Sequence, residues 1–337
     1  MRRTTSSIRV AASVDELVRG ATERAPVKAG DSLSGCGFER VVVAGAPHLV
    51  KYLCVDDDWI MRATGDAGCR QRLLWRSALV EALPDSLDHT VVGVADYRTP
   101  RGRAGLAVLM RDEGRWFVPA GGAPLADAQH LRFLDHMAEL HAAFWGWRDD
   151  IGLMPFSHTY TFLTPVTTAL ESMRGGADPV PPLIAPGWAR FSQAAPAAAG
   201  VLLGLLADPS ALLVALARTP STLIHSDWKL GNLGSHPDGR TILVDWDRVT
   251  EGPGCADLAW YLAVNCDRIA FPKEVAIEAY RRGLEVRGIE TEPWWDRQLT
   301  LALLGALLQL GWAKASGDAA ELAWWEARAL AATRFLS

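Results

Sequence analysis

Apolar and polar positions divide the chain into a strand-patterned first third and a helix-patterned remainder. Residues 38–43 and 48–54 are rich in Val, Leu, Tyr and Phe and are separated by Gly45-Ala46-Pro47, which reads as strand, turn, strand. Two more strands are expected over 91–97 and 105–110, joined by a polar turn at 98–103. Two helices are expected among them. One covers residues 13–24, where Ser13 and Glu16 have capping-box spacing. The other covers 69–83, with Leu73, Leu74, Ala78 and Leu79 on it.

Beyond Met110 the apolar period changes to that of a helix. A helix capped by Asp127 is expected to carry Leu131, Leu134, Ala138, His141 and Trp145 at spacings of three and four. Further helices are expected over 257–266, 273–287, 294–316 and 319–335, while 179–186 and 194–199 read as a loop region. The longest uncharged apolar stretches, 194–207 and 299–313, fall short of the roughly 20 residues that span a bilayer, so buried helices are expected there. Strands first and helices later predict an α+β arrangement rather than a doubly wound sheet.

Composition narrows this further. At 337 residues, 49% hydrophobic and 22% charged, the chain can bury a substantial core in two lobes or domains. A net charge of −5 leaves no electrostatic footprint for nucleic acid. The five cysteines (Cys36, Cys54, Cys69, Cys255 and Cys266) form no C-x-x-C pair, which points to reduced thiols in a cytosol. No apolar stretch follows Arg2-Arg3, so no signal peptide is expected, and neither is a membrane partner.

Chemistry concentrates in His225-Ser226-Asp227-Trp228-Lys229-Leu230-Gly231-Asn232 and in Ile242-Leu243-Val244-Asp245-Trp246-Asp247. The first is H-x-D-x-K-x-x-N; the second is an apolar strand that ends in an acid. An Asp to meet a hydroxyl, with an Asn and a second Asp to hold Mg²⁺, are the parts that phosphoryl transfer asks of a protein. Only five lysines occur among 34 basic residues, and two of them, Lys51 and Lys229, lie where a kinase would use one.

These segments resemble the aminoglycoside phosphotransferase and choline kinase group, which shares the protein-kinase-like fold. The resemblance extends to Gly254-Cys255-Ala256-Asp257-Leu258-Ala259-Trp260-Tyr261 and to the helix ending Leu140-His141-Ala142-Ala143-Phe144. It implies a bilobal molecule: a small β-rich nucleotide-binding lobe over 1–110, a hinge at 111–115 and a large helical lobe over 116–337. It implies that Asp227 orients or deprotonates the acceptor hydroxyl, that Asn232 and Asp245 hold Mg²⁺, and that Lys229 reaches the γ-phosphate. Asp257 would order the catalytic loop. Lys51, in an alternating segment, resembles the strand lysine on the α- and β-phosphates of ATP, usually paired with a helix Glu. The helix expected over 69–83 offers Gln71 and Glu81 for that pairing. Gly35 and Gly37, within Ser34-Gly35-Cys36-Gly37-Phe38, resemble a short nucleotide-covering loop, and Met110 fits the adenine-facing hinge. His141, on an apolar helix face, reads as a core histidine.

Two details separate small-molecule from protein kinases. Ser226 stands where an Arg would pair with a phosphorylated activation loop, and only residues 248–256 separate Asp247 from Asp257. The expected activity is transfer from ATP to the hydroxyl of a small molecule, by a monomer or homodimer. A non-catalytic, pseudokinase-type nucleotide-binding regulator is the alternative, followed by an unusual protein kinase.

Overall fold

The computed structural model describes residues 8–27, 35–99, 101–175 and 178–336. In chain order its strands and helices are β1 (Arg9–Ala11), α1 (Val14–Leu17), β2 (Ala21–Val27), β3 (Gly37–Val43), β4 (Ala46–Cys54), α2 (Trp59–Ala63), α3 (Gln71–Trp75), β5 (Leu87–Asp88), β6 (Val91–Arg98), β7 (Ala104–Arg111), α4 (Asp127–Ala143), α5 (Pro165–Met173), α6 (Pro181–Ala194), α7 (Pro196–Ala207) and α8 (Ser210–Leu216). There follow β8 (Thr222–Ile224), β9 (Leu233–Ser235), β10 (Thr241–Leu243), β11 (Thr250–Gly252), α9 (Cys255–Val264), α10 (Lys273–Glu285), α11 (Trp295–Lys314) and α12 (Ala319–Ala332). The chain forms two compact units. The first takes residues up to Ala120 with 151–153 and 231–247; the second takes 121–150, 154–230 and 248–337.

The first unit is built on a six-stranded sheet in the order β1-β6-β7-β4-β3-β2. Only the β1–β6 pair is parallel; the others are antiparallel, with Lys51 opposite Phe38 on β3 and Val108 on β7. Alternation places Val41, Val50, Ala107 and Leu109 in its core, where Leu17 and Val18 join them. A three-stranded sheet, β5-β10-β9, completes the unit, with β10 parallel to β5 and antiparallel to β9. Thus the strands of the second motif fold with the strand-rich N-terminal segment.

The four strands expected between 38 and 110 are present as β3, β4, β6 and β7. Of the helix expected over 13–24, only α1 forms. Half of its capping box is made: Ser13 Oγ accepts from Glu16 N at 3.1 Å, while Glu16 Oε2 accepts one residue early, from Ala12 N at 2.9 Å. Gly20 then turns the chain at φ +81, and pairing with β3 draws the following residues into β2. The helix expected over 69–83 breaks into α3 and a 3-10 turn, Ala78–Ala82. Ser77 is the cause: it is extended, and its Oγ accepts from Leu79 N at 3.3 Å.

The second unit is helical, apart from the β8–β11 hairpin-like pair. Helix α11 is apolar all round and therefore central, packing against α6, α9 and α12; α4 packs against α10 and β8. The segments read as loop at 179–186 and 194–199 lie largely in α6 and α7. Pro181 and Pro196 occupy first turns, where a missing N–H costs no helical bond. No single helix among the described residues is long and apolar enough to cross a membrane.

Helices α6 and α11 approach through two glycines. A Cβ on Gly187 would lie 2.5 Å from the Trp312 carbonyl oxygen, and one on Gly311 would lie 2.7 Å from Trp188 Cη2. Gly187→Ala should therefore destabilise the protein by about 1–3 kcal/mol, the usual cost of overpacking, although Ala is the better helix former. Urea melts check this; a variant as stable as the parent would mean that the helices do not approach this closely.

Candidate active site

The H-x-D segment is held by one buried carboxylate. Asp257, in the first turn of α9, accepts from His225 N at 2.8 Å (Oδ2) and from Ser226 N at 2.7 Å (Oδ1). His141 Nε2, on α4, lies 3.2 Å from the same Oδ2, and its Nδ1 lies 2.7 Å from the Tyr280 hydroxyl of α10. A carboxylate only accepts, so His141 donates from Nε2 and receives the tyrosine proton at Nδ1. These bonds keep Ser226 at φ +62, a left-handed conformation that a non-glycine residue rarely takes. Downstream, Asn265 Oδ1 accepts from Leu230 N at 3.0 Å.

Asp227 emerges from this support, nearly buried, with both oxygens engaged. Lys229 Nζ donates to Oδ2 at 2.6 Å, and Trp260 Nε1 donates to Oδ1 at 3.1 Å. Arg248 Nη1 forms an ion pair with Oδ1 at 3.5 Å. Its guanidinium lies 4.4 Å from the Phe162 ring centre and 4.9 Å from that of Trp260, and Nη2 reaches Gln309 Oε1 at 3.4 Å. Burial alone would raise the Asp227 carboxyl. Lys229 and Arg248 outweigh it and hold the group at about 2, below the ordinary 3.8.

The first unit holds the other predicted residues. Lys51, in the middle of β4 and only 7% exposed, donates to Asp245 Oδ1 across 194 positions of sequence. Burial opposes its charge, yet Asp245, with Cys36 and Asp247, keeps the ammonium well above its ordinary range. Asp245 follows β10 at φ +70, turned out of the strand direction. Asn232 is nearly buried, and its carbonyl accepts from Val244 N at 3.1 Å, placing it beside the turn that carries Asp245. Among the described residues no three or more His, Cys, Asp and Glu gather to hold a metal. A cation at Asn232 and Asp245 would therefore share its coordination with phosphate oxygens and water, as Mg²⁺ commonly does.

Gly35 has φ +85, and Gly37 opens β3 opposite Tyr52. Ser34, which begins the expected covering loop, lies outside the described residues. Met110 is half-buried on β7, opposite Leu49 and Val91. The helix partners considered for Lys51 do not serve: Gln71 is a buried amide without charge, and Glu81 is exposed. Instead Asp58, the buried N-cap of α2, lies in this neighbourhood. Its Oδ2 accepts from Cys36 Sγ at 3.0 Å, and burial raises its carboxyl although Lys51 acts against that rise.

Sequence reasoning missed Arg248 and underrated His141. Arg248 begins the short segment after Asp247 and has nothing local to mark it. His141 is a core histidine as expected, but it also orients the carboxylate that holds the loop. The available signal was its place within the resembling segment Leu140–Phe144.

An H-x-D loop under a buried acid, and a strand lysine paired to the acid after an apolar strand, are groups that phosphoryl transfer would use, set in an α+β fold. The chain belongs to the phosphotransferase enzyme family, whose profile matches residues 62–294, more than half of the sequence. The expected kinship is thereby borne out. No curated protein matches the chain. Among solved structures it is similar to a microcompartment-associated aminopropanol kinase (16% identity, 93% of each chain covered, TM-score 0.46). It is also similar to the choline kinase LicA from Streptococcus pneumoniae (11%, 96% of this chain and 95% of that one, TM-score 0.49). A thermostable mutant of aminoglycoside phosphotransferase APH(4)-Ia gives 14% identity, 93% and 94% coverage and a TM-score of 0.47.

The Asp227 carboxyl is lower in the folded than in the unfolded chain. Its stabilisation is thus complete above about pH 3.8 and is lost as pH falls through about 2. At neutral pH, Asp227→Asn leaves Lys229 and Arg248 without their shared carboxylate and should cost about 3 kcal/mol. The difference in melting temperature between parent and variant should shrink between about pH 3.8 and about 2. A difference that stays constant across this window would contradict the ion-paired carboxylate.

Proposed function

We propose that the protein is an ATP-dependent kinase of a small molecule, moving the γ-phosphoryl group to a hydroxyl. One observation carries the reading: Lys51 and Asp245, which the sequence suggests separately as nucleotide and metal residues, form an ion pair. The nucleotide-binding lobe is taken as residues 1–110, the hinge as 111–115 and the helical acceptor-binding lobe as 116–337.

Asp227 receives the acceptor hydroxyl. With its carboxyl near 2 it is a weak base, so its first task is to orient the oxygen. It takes the proton late, once the new bond to phosphorus has made the hydroxyl acidic. Lys229, two residues on, carries a charge that offsets the negative oxygens of the transferring group. Arg248 keeps Asp227 ionised and fixed. Lys51 supports the α- and β-phosphates, Gly35 and Gly37 let the backbone run close to them, and Met110 faces the adenine. Asn232 and Asp245 would hold Mg²⁺, which when bound neutralises charge on the phosphate oxygens.

A small acceptor is favoured over a protein because residues 248–256 are too few for a regulatory loop and Ser226 leaves an activating phosphate nothing to dock on. A nucleotide-binding regulator without activity would have no need of Lys229 and Trp260 fixing both oxygens of Asp227. The five cysteines, scattered and without a C-x-x-C pair, fit action in a reducing cytosol.

Incubation with γ-labelled ATP and a panel of metabolites and antibiotics should move label to a small hydroxyl compound, using phosphatase-treated enzyme. Labelling of peptides in preference would refute the small-molecule reading. Asp227→Asn should lower transfer by roughly 10²–10⁴-fold with nucleotide affinity retained; near-parental transfer would remove Asp227 from its role. At a hundredfold excess over Kd, ATP should stabilise the parent by about 2.7 kcal/mol with Mg²⁺ present. The gain should fall sharply in EDTA and become insensitive to EDTA in Asp245→Asn. Equal gains for the parent with and without EDTA would count against a metal at Asn232 and Asp245.

A further inference from the structure

Away from the candidate active site, one buried cluster joins the ends of four helices in the second unit. Lys314, the last residue of α11, is 6% exposed and directs its ammonium at three acceptors. They are the Ala263 carbonyl at 2.7 Å, the Cys266 sulfur at 2.8 Å and Glu321 Oε1 at 2.9 Å. Lys273 donates to the other oxygen of Glu321, and Trp325 Nε1 donates to Oε1 at 2.6 Å. Glu321 thus keeps a cation even without Lys314. Cys266, just beyond α9, is half-buried, and Lys314 beside it is nearly buried.

A lysine nitrogen held 2.8 Å from a thiol is separated from it by the span of a single bridging atom. We propose that Lys314 and Cys266 are an oxidative cross-linking site, at which a peroxide inserts one oxygen to form a covalent S–O–N bridge. The thiol, the ammonium of Lys314 and two molecules of hydrogen peroxide give the bridge, three of water and one proton, which passes to solvent. The S–H bond and two N–H bonds are lost, one S–O and one O–N bond form, and both O–O bonds break. Sulfur and nitrogen together give up four electrons, two to each peroxide. The first step is the ordinary oxidation of a cysteine to its sulfenic acid. Lys314 then takes the place of the second thiol that would otherwise capture it. Burial raises the Cys266 thiol and Lys314 acts against that rise, so an excess of peroxide is called for.

The site matters because of its neighbour. Asn265 holds Leu230 N, three residues beyond Asp227, and a bridge at the next residue ties that anchor to the end of α11. Neither Lys314 nor Cys266 has a part in the proposed transfer, so the inference stands whether or not that reading does.

The full-length protein, treated with hydrogen peroxide, should gain about 14 Da in intact mass, one oxygen added and two hydrogens lost. Digestion should yield a linked pair of peptides containing residues 266 and 314, and dithiothreitol should release it. Cys266→Ser and Lys314→Arg should each abolish the linked pair. The proposal is overturned if Cys266 gains only about 16 or 32 Da with no linked peptides, as expected of a cysteine oxidised alone. It is equally overturned if the bridge persists in Lys314→Arg. Should either variant fail to fold, the digest of the parent protein decides the matter by itself.

Discussion

A single fully buried carboxylate, Asp257, sets the geometry on which the H-x-D segment depends. Two adjacent backbone N–H groups, those of His225 and Ser226, converge on it, and a left-handed Ser226 is what makes that convergence possible. An unfavourable backbone of this kind costs of order 1–3 kcal/mol and persists only where its surroundings over-determine it. Charged acceptors make strong hydrogen bonds, and these are dry. His141 and Tyr280 extend the network into α4 and α10, so the packing of two long helices is transmitted to one peptide unit.

The two units carry opposite local charge patterns. Around Asp227, one carboxylate is shared by Lys229 and Arg248; around Lys51, one ammonium faces Asp245 and feels Asp247. Neither group could remain ionised alone at such depth, since burial of an isolated charge is prohibitive. Excess cation beside Asp227 favours its ionised form. Excess anion around Lys51 favours its ammonium form.

Much of this was legible beforehand because it is written locally. An alternating strand, an H-x-D-x-K-x-x-N run and an acid after an apolar strand each lie within a few residues, so their places on the chain can be read directly. The four strands β3, β4, β6 and β7 and the long C-terminal helices were legible for the same reason. What escaped notice depends on distant partners. Arg248 acquires its meaning from Phe162, Trp260 and Gln309. The residues after α1 are drawn into β2 by pairing with β3, against a fair helical pattern. Ser77 breaks a helix because its hydroxyl competes for a backbone N–H, a local cause outweighed in the reading by the apolar period around it. Pro181 and Pro196 suggested loop, whereas each starts a helix.

The composition of the first unit bears on how the protein is made. Its small sheet needs β9 and β10, which arrive only with residues 231–247, long after the first 120 have been synthesised. At 5–20 residues per second, the ribosome spends roughly 10 s on the intervening chain. Throughout that interval β5 has no strand to pair with, and Lys51 waits for Asp245. Vectorial synthesis thus delivers the N-terminal segment unfinished, with its two closing strands and its buried counter-charge supplied by the same late stretch of polypeptide.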